Sequence, residues 1–363
     1  MEVRHVMEQV QCMIDWIEDH LKGRFSLDEL SDYMGYSPYY YSFKFHQVTG
    51  VSIKRYILLR RLYLSTEDLS KNKRIIDVAF TYGYSSQEAY SRAFKRVFGI
   101  NPGQYQMKKV PVQSIVKLTT YKNGAGSTMN VSRKIEVNKV KNERSDLFDK
   151  NILHIMNGQL MYDEFKTNKL LGDADYAPFN EAMCVNKTTE EILNHTFIRT
   201  RADGHNESEE SYMDKVIVPL HDLFNKEYTC IVLWFGEDMF CQMNVLTVLS
   251  YLEQTKYKGK VFLNSFREDE FKVNQTELTL GHYHLTYKET MIHHVLPSNE
   301  LMPIMYQAIK IYLDMLKAEN EVVKYIRKNK DLPTKQLIQT LFHLFPTIGY
   351  GDSQYIELIN KIK

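Results

Sequence analysis

The sequence predicts an all-α domain of two helix-turn-helix units, followed by an α/β domain with a mostly parallel sheet and a helical C-terminal part. A short signature occurs twice in the first hundred residues, as Gly35-Tyr36-Ser37 running on to Gly50 and as Gly83-Tyr84-Ser85 running on to Gly99. A polar, aperiodic stretch then separates this region from the rest. Beyond it, short apolar runs alternate with helical patterns, the mark of strands joined by helical crossovers.

Aligning the two copies puts Leu27 with Ile75, Leu30 with Val78 and Ser31 with Ala79. After a one-residue insertion in the second copy, Ser42 falls with Ser91 and Phe45 with Phe94. In the second copy Tyr90, Ala93, Phe94 and Val97 recur at helical spacing and must face a core. Gln87 at the N-terminal end, then Glu88, Ser91, Arg92, Lys95 and Arg96, are left to the outer surface. In the first copy Tyr41, Phe45 and Val48 point inward with Lys44 on the same register, and Tyr39, Ser42, Phe43 and His46 point outward. Ser37 before Pro38 reads as an N-cap followed by a first-turn proline, and Gly50 and Gly99 stand where left-handed caps end their helices. Between the units, residues from about Ser52 to Ser70 form one connecting helix.

An outer face carrying Arg, Gln and small polar groups suits base edges and phosphates, because Arg pairs bidentately with guanine and Gln with adenine in the major groove. Two such helices at a fixed separation would enter successive major-groove segments, about 34 Å apart. The competing reading is a protein-binding bundle with solvated outer faces. Residues 1–109 hold 16 Lys and Arg against 12 Asp and Glu, a net +4, and the remainder holds 30 against 33, a net −3. The basic excess lies in the half expected to meet phosphate.

Residues 1 to about 109 resemble the AraC/XylS family of bacterial transcription regulators, in SLDELSDYMGYSPYYYSFKFHQVTG and IIDVAFTYGYSSQEAYSRAFKRVFGINPGQY. Gly83, Phe94, Phe98, Gly99, Pro102 and Tyr105 match the family pattern closely. The resemblance implies double-stranded operator DNA as partner, with RNA polymerase a further candidate. It puts base reading on Tyr39, Ser42 and Phe43 in the first recognition helix and on Gln87, Glu88, Ser91 and Arg92 in the second. Phe43 replaces the arginine common at its position, so the first helix is expected to read bases more weakly.

Residues 110–150 read as a linker, with Gly124-Ala125-Gly126-Ser127, a charge-rich run from Lys139 to Lys150, and a short strand at Gln113–Leu118. From Asn151 to the C-terminus the chain reads as the second domain. Strands are expected at Ile152–Met156, Cys230–Phe235 and Lys260–Ser265, and helices after Asp238 and over about Leu301–Leu316, Glu319–Lys328 and Pro333–Phe345.

Ligands of such a sheet sit beyond the carboxyl ends of its strands. That rule selects Asn157 and Gly158 after the first strand and Glu237 and Asp238 after the Trp234 strand. Two carboxylates there serve equally as acid and base, as metal ligands or as acceptors for a polar effector, and Asp238 is as readily a helix cap. Residues from about 152 to 360 resemble a bacterial family known only as domain of unknown function 1835, in ILHIMNG, PFNEAMC, VLWFGEDMFCQMNVL and LFPTIGYGDSQY. That resemblance implies Glu181, Glu237, Asp238, Gln242 and Asn244 as motif positions, with Arg199 or Arg201 as a basic companion. The effector-binding set is therefore Asn157, Gly158, Glu181, Arg201, Glu237, Asp238, Gln242 and Asn244, and the effector an unidentified small molecule. The competing class is a regulator fused to a hydrolase-like enzyme that uses Glu237 and Asp238.

No cofactor, metal or catalytic residue is assigned. His282, His284, His293 and His294 read as incidental to a hairpin, and Cys184 and Cys241 as buried hydrophobes. No GxGxxG or GxxxxGK[ST] loop occurs. The longest apolar run, Ile231–Phe235, falls far short of the roughly 20 residues of a membrane span. The four scattered cysteines suit reduced thiols in a cytoplasmic protein.

Overall fold

The computed structural model describes residues 2–35, 37–120, 131–266 and 273–362 of the chain. Seven helices form the N-terminal part: α1 (Glu2–Asp19), α2 (Leu27–Met34), α3 (Pro38–Thr49), α4 (Ile53–Ser70), α5 (Ile75–Thr81), α6 (Gln87–Phe98) and α7 (Pro102–Lys108). The sequence repeat corresponds to α2–α3 and α5–α6. Each pair has its own core, and α4 serves both. Its first half gives Ile53, Tyr56 and Ile57 to a cluster with Ile14, Leu30, Tyr41 and Phe45. Its second half gives Leu62, Tyr63 and Leu69 to a cluster with Val78, Tyr90, Phe94 and Phe98. A single helix through two cores fixes one unit relative to the other.

The C-terminal part is built on a five-stranded sheet of order β2-β1-β3-β4-β5. The strands are β1 (Ile152–Met156), β2 (Asp175–Pro178), β3 (Cys230–Gly236), β4 (Lys260–Phe266) and β5 (Val273–Leu278). β2, β1, β3 and β4 pair in parallel, whereas β5 runs antiparallel to β4. The sheet is therefore mixed, a correction to the mostly parallel sheet expected. The physical reason lies in the polar stretch VNQTEL of β5, which is half-exposed along most of its length and carries none of the apolar signal by which the inner strands announce themselves.

Alternation along the strands feeds two layers. Leu153, Ile155, Leu233, Phe235 and Leu263 face the helices Met239–Gln254 and Pro303–Met315. Met156, Val232, Trp234 and Phe262 face the opposite layer, where Val137, Val140, Leu147, Phe148 and Phe165 pack. Four of those partners come from residues read as linker. The second half of 110–150 instead forms a helix, Val131–Glu143, and a short 3-10 turn, Ser145–Phe148, both belonging to this layer.

Residues 113–118 form no strand either. Residues 111–119 run without helix or ladder pairing and strap the two halves of the molecule together. Gln113 N donates to Gln307 Oε1 (2.9 Å), its side-chain amide donates to Glu237 O (3.0 Å) and Thr347 O (3.3 Å), and Ser114 N donates to Glu237 Oε2 (2.8 Å). On the other side Arg60 of α4 donates to Ile115 O, and Leu118 N donates to the Tyr56 hydroxyl (3.3 Å). No helix among the described residues is long and apolar enough to cross a membrane.

Candidate functional site

The first recognition helix, α3, starts where Ser37 accepts a hydrogen bond from Tyr40 N and ends at Gly50, in the left-handed region with φ +73°. Tyr41 and Phe45 are buried, Lys44 is half-buried, and Tyr39, Ser42, Phe43 and His46 are exposed. In α6, Ser86 accepts from Ala89 N at 3.1 Å and Gly99, with φ +81°, donates back to Lys95 O. Tyr90, Ala93, Phe94, Val97 and Phe98 are buried, Ser91 is half-buried, and Gln87, Glu88, Arg92, Lys95 and Arg96 are exposed. All ten residues selected from the sequence thus lie on the outer faces of the two helices.

Their chemistry differs along each face. Hydrogen bonds from its own backbone N–H and from Ser86 hold the Glu88 carboxyl below its ordinary range, so this side chain is engaged in capping α6. The Phe43 ring has Lys44 and, from the C-terminal part, Lys328 at 6.0 and 5.8 Å from its centroid. That pairs the aromatic with two cations in place of the expected arginine.

The C-terminal part also meets the end of α6. Lys310 Nζ donates to Arg96 O at 2.8 Å, and the Tyr306 ring lies so close to Gly99 that an added Cβ would sit 2.7 Å from its Cγ. Burial, then repulsion from Arg96, lowers the pKa of Arg55; burial, then Arg55 and Arg96, lowers that of Lys310. Positive charge is therefore concentrated where α4, α6 and the helix Pro303–Met315 converge.

The second candidate site divides in two. Strand order reverses between β1 and β3, and a crevice of about 350 Å³ lies beside that switch point, lined by Asn157, Gly158, Asn180, Glu181, His205, Tyr212, Lys215 and Phe240. Its floor is an ion-pair network. Arg201, fully buried, donates to both Glu181 oxygens (2.8 and 3.2 Å) and to three backbone carbonyls. His205 Nε2 lies 2.8 Å from Glu181 Oε1, and the Tyr212 hydroxyl donates to Oε2. Burial by itself would raise the Glu181 carboxyl, but Arg201 and His205 outweigh it and hold the group far below the usual carboxylate range. Asn244 ties the walls together by donating to Glu181 O (2.7 Å) and Asn157 Oδ1 (3.3 Å) while accepting from Met183 N (3.0 Å).

The remaining three residues lie elsewhere. Glu237 is buried and accepts from the strap. Asp238 caps the helix Met239–Gln254 by accepting from Cys241 N at 2.8 Å, and Gly349 backs onto it so closely that a Cβ would sit 2.0 Å from Oδ1. Gln242 donates to Gly236 O at 2.7 Å. Glu237 joins sheet to strap and Asp238 and Gln242 hold the start of the following helix, while Asn157, Gly158 and Glu181, backed by Arg201 and Asn244, build the crevice. His205, Tyr212 and Lys215 were not found from the sequence; His205 lies four residues after Arg201, one helical turn on, which is the signal available. His284 lies in the short helix Tyr283–Tyr287 and not on a strand, and among the described residues no group of three or more metal-binding side chains forms. No disulfide joins the four cysteines, and Cys184, Cys230 and Cys241 are buried.

A family model described as a helix-turn-helix domain matches residues 30–108. The regulatory protein SoxS of Salmonella typhimurium is 36% identical over 98 residues, covering 27% of this chain and 92% of its own length. The multiple antibiotic resistance protein MarA of Escherichia coli is 33% identical over 106 residues, covering 29% of this chain and 84% of its own. A solved structure, the C-terminal domain of the response regulator AraT from Geobacillus stearothermophilus, aligns at 25% identity over 33% of this chain and 94% of its own, with a TM-score of 0.27. The chain belongs to the AraC family of helix-turn-helix DNA-binding transcription regulators.

Proposed function

We propose that this regulator binds a bipartite operator through α3 and α6 and that its C-terminal domain, similar to domain of unknown function 1835, senses a small polar molecule in the crevice between β1 and β3. The observation that carries the DNA half is the pair of capped helices with buried aromatic stripes and outward Tyr39, Ser42, Phe43, His46, Gln87, Ser91, Arg92, Lys95 and Arg96. Arg92 has the position and chemistry for bidentate base contact, and Lys95 and Arg96 suit phosphate. Activation through RNA polymerase, in the cytoplasm, is the corresponding biological role. AarP of Providencia stuartii, whose name is transcriptional activator, is 30% identical over 104 residues, 77% of its length.

The sensing half rests on the switch-point location, the pre-formed ion-pair floor and the strap. A ligand changes operator affinity only by its differential affinity for two interdomain arrangements, typically 1–3 kcal/mol. The strap supplies a direct route, from Glu237 just beyond β3 to Ser114, and from there through the Ser114 hydroxyl to Tyr63 and through the next carbonyl, Ile115 O, to Arg60 on α4. Engagement of Glu237 by the strap and of Asp238 by a helix start favours sensing over hydrolysis by these carboxylates. The experiment is footprinting of the full chain on its own upstream DNA, with and without the small-molecule fraction of a cell extract. Two protected patches one helical turn apart, with an extract response that Lys215→Gln removes, are expected. One short patch contradicts the bipartite operator, and a response unaffected by Lys215→Gln contradicts the crevice.

A further inference from the structure

A second cavity, of about 590 Å³, is larger than the switch-point crevice and lies on the other side of the segment 181–188. Its body is apolar and aromatic, formed by Met291, Tyr312, Tyr350 and Leu358, with the buried Cys184 at one wall and the exposed Leu316 at the mouth. Its rim is charged. The exposed Lys187 and Lys361 line it together with a single carboxylate, the exposed Glu357, and with His294 and Gln354 as further polar groups, so cations outnumber anions around an apolar floor. Burial drives the Cys184 thiol well above its ordinary value, leaving it a neutral wall and not a nucleophile.

Two features connect this cavity to the rest of the molecule. The helix Pro303–Met315 contributes Tyr312 to the lining and, from positions six and two residues earlier, Tyr306 and Lys310 to the end of α6. The opposite wall contains Val185 and Lys187, whose carbonyls accept from Arg201 at 2.7 and 3.0 Å. The cavity is further bounded by a π-helical turn, Lys288–Ile292, an element that recurs at functional sites because its widened turn displaces side chains from regular helical spacing.

We infer that this cavity is a binding site for an amphipathic organic anion, an apolar or aromatic body bearing a carboxylate or sulfonate, and that its occupant acts on α6 through the helix Pro303–Met315. The apolar floor takes the body of the ligand, and Lys187 and Lys361 take the anionic group at the rim. The site is separate from the crevice of the proposed function and does not depend on it.

The test uses the full chain and 8-anilinonaphthalene-1-sulfonate, an aromatic anion whose fluorescence rises on transfer from water. Saturable one-site binding is expected, weakened about tenfold by Lys187→Gln with Lys361→Gln, two exposed substitutions that leave the fold intact. Filling the mouth by Leu316→Trp should abolish it. Saturating dye should also shift wild-type operator affinity by at least threefold, and that shift should vanish in Tyr306→Ala. Absence of saturable binding, or binding lost through Lys215→Gln in the crevice and not through the lysine pair, overturns the site. Binding without any change in operator affinity overturns its action on α6.

Discussion

Replacing Gly99 by alanine probes the contact between the C-terminal domain and the second recognition helix. Gly99 ends α6 at φ +81°, where a side chain costs about 1–2 kcal/mol from the backbone alone. The added Cβ would also lie 2.7, 2.9 and 3.0 Å from Cγ, Cδ1 and Cδ2 of Tyr306. These atoms are the near end of the ring, which cannot swing aside without moving the helix Pro303–Met315, and overpacking of this kind costs about 1–3 kcal/mol. Gly99→Ala should therefore destabilise the protein by about 2–5 kcal/mol. In a Tyr306→Ala background the steric part disappears and the same change should cost only about 1–2 kcal/mol, leaving a coupling of about 1–3 kcal/mol. Urea denaturation of the four proteins, followed by far-ultraviolet circular dichroism and extrapolated linearly at constant slope, measures this cycle. Equal costs in both backgrounds would show that Tyr306 does not press on Gly99 in solution, and the domain junction described above would be wrong.

Three further outcomes are expected. His154, buried between Trp234 Nε1 and Leu147 O, is held neutral by burial with its pKa pushed down to about 4 from 6.5. The unfolded chain takes up that proton first, so this stability is complete above pH 6.5 and about 3 kcal/mol is lost as pH falls towards 4; a urea midpoint that does not fall between pH 7 and 4.5, or the same fall in His154→Gln, contradicts it. Glu237→Ala removes the acceptor of the Ser114 N–H, should cost about 1–3 kcal/mol and should speed hydrogen exchange of residues 112–116 before that of α6; unchanged exchange there would mean the strap is held by other contacts. Because Phe43 offers apolar contact where Arg92 offers bidentate bonding, single base-pair changes under α6 should weaken binding more than those under α3, and the reverse order in a titration series would invert the assignment.

The helix-turn-helix half was legible because each of its devices is local. Ser37, Gly50 and Gly99 are caps within one turn of what they cap, and the Tyr90-Ala93-Phe94-Val97 stripe is a periodicity within one helix. The inner strands were legible because Ile152–Met156 and Cys230–Phe235 are buried on both faces and so read as continuous apolar runs. What the sequence hid is non-local. β5 is a polar edge strand that pairs through its backbone, which leaves no hydrophobic pattern. The strap of residues 111–119 is specified by single hydrogen bonds from Gln113 and Ser114 to partners more than a hundred residues away, and its polar composition resembles that of a free linker. Glu237 was correctly located beyond the end of β3 but could not be assigned to strap or ligand, since the difference depends on where residue 114 passes. The larger cavity draws its walls from segments near residues 184, 291, 312 and 354, and no spacing announces such a convergence.

The central claim is that α6 reads base edges, and it is tested most directly by titrating wild type and Arg92→Ala against the native upstream DNA and single-base variants of it. Arg92 is exposed on the outer face of a helix whose inner face is fully committed to the core. Its loss should cost about 1–3 kcal/mol of operator affinity and level the preference at one base-pair position, while preferences elsewhere persist. Unchanged affinity with an unchanged preference at every position would contradict the account.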